Sequence, residues 1–186
     1  MKKVIVMALA MVLLVGTVSA MDMTIGLGGL VGGNNSGVSG VAVGGGVDIN
    51  LNLYKGFGIE IDTDIVTSKL SSGDGLDVTG DFSVNIPVMA WYNHDLGRIG
   101  FGGGLGLGCN ISSGVKFTLA GGLEARYNIN DQFSIFVGVN GNLDVFPALT
   151  KVEKGGTSTY KFVKSDFSKN SLYGRVGVKY NIALNN

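Results

Sequence analysis

Apolar residues alternate with small or polar residues along most of the chain. From Val43 onward, for example, Val47, Ile49, Leu51 and Leu53 are separated by glycine, aspartate or asparagine. A period of two is the signature of a β-strand whose two faces meet different surroundings. Eight such runs of roughly 9 to 13 residues predict eight strands, each long enough to cross a bilayer at a tilt.

The two faces of these strands differ in chemistry. One face is apolar and carries no charge in the runs that define it. The other combines many glycines with charged residues, namely Asp48, Glu60, Asp62, Asp64, Arg98, Lys116, Glu124, Arg126, Asp144, Arg175 and Lys179. Because the interior of an eight-stranded barrel is only just wide enough for side chains, the face rich in small residues is expected inside. The sequence therefore predicts an all-β fold, an eight-stranded antiparallel up-and-down transmembrane β-barrel.

The charges of the predicted lumen need partners, because a buried charge persists only when it is paired and hydrogen-bonded. We expect an ion-pair network supplemented by asparagines, with the remaining space filled by Met89, Trp91, Phe136 and Tyr173. A selective pore is the alternative, but the narrow lumen favours a structural plug. Pro87 also falls on this inner face. Since proline has no N–H to donate to the sheet, we expect a bulge there.

Turn residues and aromatic residues distinguish the two ends of the predicted barrel. Tight turns are expected at Tyr54–Gly56, Asn93–Gly97 and Asn128–Asp131, and the other links are longer and less regular. Short periplasmic turns and longer extracellular loops are typical of outer-membrane barrels. Two aromatic bands are expected at the membrane–water interfaces, formed by Tyr54, Phe57, Phe82, Tyr92, Phe117, Tyr127, Phe133, Phe146 and Tyr180.

The start of the chain has the composition of a secretory signal peptide. Two lysines and an apolar run from Val4 to Val15 precede small residues at Val18–Ala20. We therefore expect a signal peptide at residues 1–20 and an outer-membrane β-barrel domain at residues 21–186. No later apolar run is long enough for a transmembrane helix, so any membrane span must be built from strands.

Taken together, these features resemble the small outer-membrane barrels of the OmpA/OmpX type from diderm bacteria. The resemblance covers essentially all of Met21–Asn186 and is one of pattern. It implies an outer-membrane location, contact with outer-membrane lipids, insertion by barrel-assembly machinery and a monomeric state. Members of that group commonly end on a terminal aromatic residue. Here the last strand ends at Tyr180 and Asn181–Asn186 follow, which departs from the group's pattern.

The sequence contains no clear motif for a catalytic site or for a cofactor site. The single histidine, His94, falls in a predicted turn without a nearby serine, so we expect no catalytic residue and no enzyme activity. We also expect no cofactor and no metal site, because the glycine clusters precede no helix and the acidic pairs lack the spacing of a calcium loop. The balanced charge argues against nucleic-acid binding. A lone cysteine, Cys109, leaves no intrachain disulfide to form.

One predicted extracellular segment, Phe146–Asn170, is locally basic. Its candidate partner-binding residues are Lys151, Lys154, Tyr160, Lys161 and Lys164. Such residues suit anionic lipid headgroups or host polymers, although a solvated loop whose charges resist aggregation is the other interpretation. We expect a structural, surface-interaction or adhesion-type role through the loops. A small porin or channel is the first alternative, and a soluble periplasmic lipocalin-like binding barrel is the second.

Overall fold

A computed structural model of the chain describes residues 22–34, 40–67, 71–72, 76–77, 82–112, 114–154, 157–164 and 170–183. The signal peptide predicted at residues 1–20 lies outside this part of the chain. Within it, no helix is long and apolar enough to cross a membrane. The strands are β1 (Asp22–Asn34), β2 (Gly40–Tyr54), β3 (Phe57–Thr67), β4 (Ser71–Ser72), β5 (Leu76–Asp77), β6 (Phe82–Leu96), β7 (Ile99–Ile111), β8 (Gly114–Asn128), β9 (Phe133–Leu143), β10 (Ala148–Lys154), β11 (Thr157–Val163) and β12 (Asn170–Ala183).

Eight of these strands form a closed antiparallel barrel in the order β1–β2–β3–β6–β7–β8–β9–β12. The ring closes where β12 pairs with β1, in a register that runs from Asp22 opposite Ala183 to Asn34 opposite Ser171. The predicted fold class is therefore confirmed. The barrel strands have 11 to 15 residues, slightly more than the alternation alone indicates.

The alternation along each strand separates an exposed outer face from a buried inner face. On β8, for example, Leu119 and Leu123 are exposed, whereas Ala120, Gly122 and Glu124 are buried. Successive strand residues point to opposite sides of a sheet, so one parity faces outward along the whole strand. The alternate residues that are apolar face outward, and the alternate residues that are glycine or charged face inward. This is the arrangement that the side-chain volumes predict.

Short turns join the strands at one end of the barrel. Lys55 and Gly56 form a two-residue turn in which both have positive φ, of 46° and 86°, as a type I′ hairpin requires. At the turn between β8 and β9, the Asn130 side chain accepts hydrogen bonds from the backbone N–H groups of Gln132 and Phe133. We call this end the short-turn end and the opposite one the long-loop end.

The turn predicted at Asn93–Gly97 lies further along the chain than expected. β6 continues to Leu96, and the turn consists of Gly97, with a φ of 69°, and Arg98. His94 is therefore an exposed strand residue opposite Phe101, not a turn residue. The polar composition of residues 93–96 predicts a turn, whereas the alternation continues through them and predicts a strand. The structure shows that the prediction from composition is wrong.

The structure also corrects the prediction of a bulge at Pro87. The pairs on either side of it, Ile61 with Val88 and Asp64 with Asn85, keep the same register. Between them the pairing of β3 with β6 is interrupted, while Pro87 remains opposite its partner in β7. A proline removes one hydrogen bond from the ladder without adding a residue, and the rest of the sheet holds the register.

A hairpin of β10 and β11 stands at the long-loop end. Its strands pair from Ala148 opposite Val163 to Lys154 opposite Thr157. The sequence suggests that residues 157–162 extend the last hairpin, between β9 and β12. Instead, β10 joins the edge of β8, where Leu149 lies opposite Val115. This places the β10–β11 hairpin beside β8, next to the point where β9 ends.

Candidate functional site

Glycines on the inner face make room for the charged side chains of the lumen. Gly26 lies in register between Asp48 of β2 and Lys179 of β12, and an added Cβ would overlap the Asp48 carboxylate. Gly46 stands in the same relation to Asp64, whose carboxylate occupies the space of a Cβ. The glycines therefore let charged side chains of neighbouring strands lie across them.

The Lys179 ammonium is the centre of the network toward the short-turn end. The residue is 2% exposed. Its Nζ lies 2.7 Å from Oε2 of Glu124, 3.1 Å from Oδ1 of Asp48 and 3.6 Å from Oε2 of Glu60. The same Nζ lies 5.0 Å from the centroid of the Phe136 ring, within cation–π distance. Three carboxylates and an aromatic face thus compensate the ammonium for its loss of water.

The Arg175 guanidinium continues the network toward the long-loop end. Its Nη1 lies 3.1 Å from Oδ2 of Asp62, and its Nη2 lies 3.3 Å from Oδ2 of Asp48 and 3.7 Å from Oδ1 of Asp64. Asn140 donates a further hydrogen bond of 2.9 Å to Oδ2 of Asp62. Since Asp48 contacts both Arg175 and Lys179, the two cations belong to a single buried network.

Arg126 extends this network to the rim at the short-turn end. Its Nη2 lies 2.9 Å from Oδ1 of Asp95, and its Nη1 donates a 2.7 Å hydrogen bond to Oδ1 of Asn93. Asn93 in turn donates to Asn50, and Arg126 Nη1 lies 4.0 Å from Oε1 of Glu124. The composition of residues 93–97 predicts a turn and so hides Asp95 and Asn93, although their place in the alternation puts both on the inner face.

The remaining predicted lumen charges lie apart from this network. Lys116 and Asp144 form an ion pair of 3.5 Å near the long-loop end. Arg98 is not in the lumen, which corrects the prediction. It is an exposed turn residue whose Nη1 donates a 3.3 Å hydrogen bond to the hydroxyl of Tyr127. The two-residue turn places Arg98 beyond the end of the strand, where the alternation no longer determines which way it points.

A layer of apolar side chains lies on the long-loop side of the ion network. It contains Leu30, Ala42, Val66 and Tyr173, all of them at most 4% exposed. Leu30 is in register with Arg175, and Tyr173 lies one inward-facing position further toward the loops. The apolar layer therefore covers the ion network on the side of β12, β1, β2 and β3. Of its members, only Tyr173 is predicted from the sequence to lie in the lumen.

The other half of the lumen is filled by Trp91 and its neighbours. Trp91, Met89 and Ala120 form a second buried apolar cluster. The indole lies against Gly102, Gly104 and Gly122, at each of which an added Cβ would come within 3.2 Å of it. Its Nε1 donates a 3.0 Å hydrogen bond to Oδ1 of the Asn93 side chain. The ring thus joins the apolar filling to the polar network.

Negative charge exceeds positive charge in the buried network. Five buried carboxylates stand against two buried cations, Arg175 and Lys179, a formal excess of three negative charges, whereas Arg126 is paired with the exposed Asp95. Among the described residues, Oδ1 of Asp62 has no hydrogen-bond partner. This buried network is therefore acidic. The five carboxylates are Asp48, Glu60, Asp62, Asp64 and Glu124.

No protein-family model matches the sequence, and no curated protein matches it. Several solved structures share the fold. The outer membrane protein OprG from Pseudomonas aeruginosa matches with a TM-score of 0.60 at 14% identity, over 88% of this chain and 96% of that one. Neisserial surface protein A matches with a TM-score of 0.56 at 13% identity, over 89% and 98% of the two chains.

A third match is Ail, the attachment invasion locus protein of Yersinia pestis, in complex with the heparin analogue sucrose octasulfate. Its TM-score is 0.51 at 13% identity, over 87% of this chain and 97% of that one. This chain has the fold of the small outer-membrane β-barrels. The expected resemblance to barrels of the OmpA/OmpX type is thereby confirmed at the level of fold.

In this fold, the aromatic residues of the predicted girdle all have exposed side chains. They lie near the short turns at Tyr54, Phe57, Tyr92, Tyr127, Phe133 and Tyr180, and near the long-loop end at Phe82, Phe117 and Phe146. Two pairs are in ring contact, with centroids 4.6 Å apart for Phe57 and Tyr92 and 4.9 Å apart for Phe133 and Tyr180. The two bands flank an outer surface made mainly of aliphatic residues.

The predicted partner-binding residues fall on and beside the β10–β11 hairpin. Lys161 lies in β11 and Lys164 directly follows it, and both are exposed. For Lys151, Lys154 and Tyr160, the structure describes only their positions in the strands, with Lys151 opposite Tyr160. At least two lysines of the basic segment are thus available to a partner at the long-loop end.

Proposed function

We propose that this chain is an integral outer-membrane barrel protein that acts through its extracellular surface, without catalytic or transport activity. One observation carries the proposal: in the part of the chain that the structure describes, an ion network and two clusters of buried apolar side chains occupy the lumen. A lumen filled in this way leaves the outer surface and the loops as the places where contacts are made. The fold of the solved relatives supports the membrane location, and barrel-assembly machinery would then insert the chain as a monomer.

The two aromatic bands and the exposed aliphatic surface between them also support a membrane location. A soluble lipocalin-like barrel would direct its apolar face inward. Here Leu105, Leu123 and Val176 are more than 60% exposed on the outer wall. Such a surface is stable in lipid and costly in water. Fractionation of cells and heat-modifiable gel mobility test this part of the proposal, and recovery in the soluble periplasm would contradict it.

The contact surface that we propose is the β10–β11 hairpin with its exposed lysines. Their charge suits an anionic surface polymer, and the fold relative Ail has been solved with a sulfated heparin analogue. We expect cells that express this protein to bind heparin-coated surfaces, and binding to fall in the Lys161→Gln/Lys164→Gln variant. A matched control is Lys55→Gln/Arg98→Gln, which removes two cations at the opposite end. Equal loss in both variants would contradict a role for the hairpin.

A cation-selective pore is the second candidate, favoured by the excess of carboxylates in the lumen. Rings of acidic side chains select cations in known channels. Conductance of the refolded protein in a planar bilayer separates the two candidates. The filled lumen predicts no stable conducting steps. Steps that are cation-selective, and that change when Asp62 is replaced by asparagine, would establish the pore instead.

A further inference from the structure

The buried ion network of the lumen carries more negative charge than its cations compensate. Arg175 and Lys179 are the buried cations, and each lies within 3.7 Å of three carboxylates. An ionised carboxylate is costly to bury, and a buried acid without a full partner becomes neutral by taking up a proton. The formal excess of three negative charges therefore requires further positive charge within the network.

The five buried carboxylates differ in how closely a cation approaches them. The nearest cationic nitrogen lies 2.7 Å from Glu124 and 3.1 Å from both Asp48 and Asp62. The corresponding distance is 3.6 Å for Glu60 and 3.7 Å for Asp64, which is too long for a hydrogen bond. Both residues are 1% exposed, so water does not screen their charge. They are therefore the two least compensated carboxylates of the network.

The network is also short of hydrogen-bond donors. Among the described residues, Oδ1 of Asp62, Oδ1 of Asp64 and Oε1 of Glu124 are buried and accept no hydrogen bond. The Asp64 oxygen lies against Gly46, in the space that a Cβ would fill. A metal ion would supply positive charge but no donor, whereas a proton on a carboxyl group supplies both. The missing donors thus favour protons as the compensating charge.

The ionisable groups that face Glu60 and Asp64 come from the strands packed around them. Lys179 contacts Glu60 and Arg175 contacts Asp64, and each of these cations is shared with two other carboxylates. The inner faces of β1, β7 and β9 carry no ionisable side chain at this level. The full set is Asp48 of β2, Asp62 of β3, Asp95 of β6, Glu124 and Arg126 of β8, and Tyr173, Arg175 and Lys179 of β12.

We propose that Glu60 and Asp64 form a proton-binding site in the lumen and that both carboxyl groups are protonated at neutral pH. Arg175 and Lys179 then face three ionised carboxylates instead of five, so the buried network is compensated to within one charge. Proton binding makes the stability of the barrel depend on pH. It goes beyond the proposed function, because it requires neither a surface partner nor a conducting lumen.

Infrared spectroscopy detects the protons directly, because the C=O stretching band of a protonated carboxyl group is distinct from the bands of a carboxylate. We expect the barrel refolded in detergent micelles to show this band at pH 7, where unperturbed carboxyl groups are ionised. Glu60→Gln and Asp64→Asn should each remove part of the band, and the double variant should remove it. Asp144→Asn should leave it unchanged, since Asp144 is paired with Lys116 outside the network.

Absence of the band from the unmodified protein at pH 7 would overturn the proposal. It would show that all the carboxylates are ionised and that another cation compensates them. A band that survives in the double variant would also overturn it, because the protons would then belong to other carboxyl groups.

Urea unfolding at different pH values tests the consequence for stability. Above about pH 5 the carboxyl groups of the unfolded chain have released their protons, whereas the folded barrel would still hold protons on Glu60 and Asp64. Stability should therefore be highest at the acidic end of this range and fall as the pH rises. The unfolding constant should rise about tenfold per pH unit for each proton held. A constant that does not change with pH, or an equal slope in the Glu60→Gln/Asp64→Asn variant, would contradict the proposal.

A matched pair of substitutions separates a protonated carboxyl group from an ionised one. Asparagine has the shape of protonated aspartic acid, so Asp64→Asn should leave the unfolding constant at pH 7 nearly unchanged. Asp62→Asn is the same change two residues away on the same face, and it removes a charge that Arg175 contacts at 3.1 Å. It should raise the constant by on the order of a hundredfold. Equal effects of the two substitutions would overturn the assignment of a proton to Asp64.

Discussion

Replacing Lys179 by methionine removes the ammonium at the centre of the lumen network but keeps an unbranched side chain of similar length. In the intact protein this ammonium lies within 3.6 Å of carboxylate oxygens of Asp48, Glu60 and Glu124. Without it, three buried carboxylates lose their shared partner, and the formal excess of negative charge in the lumen rises from three to four. The substitution thus tests whether the network stabilises the barrel.

Removing one partner of a buried ion pair costs about 3–5 kcal/mol, because the other partner remains buried without compensation. Lys179 is 2% exposed, so little of this cost is relieved by water. We expect Lys179→Met to lower the free energy of unfolding by about that amount. Adding Glu124→Gln removes one of the carboxylates that Lys179 had compensated, and it should therefore restore part of the lost stability. The expected coupling free energy between the two substitutions is about 0.5–3 kcal/mol.

Guanidinium unfolding of the refolded barrel in detergent micelles measures these changes, with the emission of Trp91 as the signal for lumen packing. The matched control is Lys161→Met, the same chemical change at an exposed position on β11. It should alter stability by no more than about 0.5 kcal/mol. If Lys179→Met were as stable as Lys161→Met, the buried ion pairs would not stabilise the packing of the lumen.

Three further substitutions test separate parts of the structure. Gly26→Ala should destabilise the barrel by about 1–3 kcal/mol through overpacking, whereas Gly29→Ala, whose added Cβ meets nothing within 4 Å, should be neutral in the same unfolding assay. Pro87→Ala should supply the missing donor between β6 and β3, so the new amide should exchange slowly with solvent in NMR. Fast exchange would show that the missing N–H of the proline is not what interrupts the ladder. Asp95→Asn weakens the partly exposed pair with Arg126, so we expect a loss below about 1 kcal/mol that disappears at high salt.

The sequence predicts the barrel well because two independent properties agree. Alternation with a period of two separates the strand faces, and the volume of the side chains then tells which face is inside. Gly26, Gly46 and Gly104 show why the second property matters, since each leaves space that an inner side chain of a neighbouring strand occupies. Hydropathy alone is equally compatible with a soluble barrel that has its apolar face inside.

The pairing of the charges is harder to predict, because it depends on turn length and on strand register. One residue more or less in a turn decides whether a charge is carried by a strand or lies beyond it. Arg98 was assigned to the lumen and Asp95 to the turn, and the structure reverses both assignments. Composition marked residues 93–97 as a turn, whereas the alternation continued through them. Near a hairpin, strand alternation therefore predicts the position of a side chain better than residue composition does.

The apolar layer in the lumen also follows from strand alternation and not from hydropathy. Val66 shares its parity with Asp62 and Asp64, and Leu30 shares its parity with Gly26. Hydropathy suggests that such residues face lipid, but strand geometry requires them to face the lumen. Apolar residues on the charged parity, near the loop ends of consecutive strands, thus indicate that the lumen is filled on that side. A water-filled passage would instead be expected to continue the polar lining toward the loops.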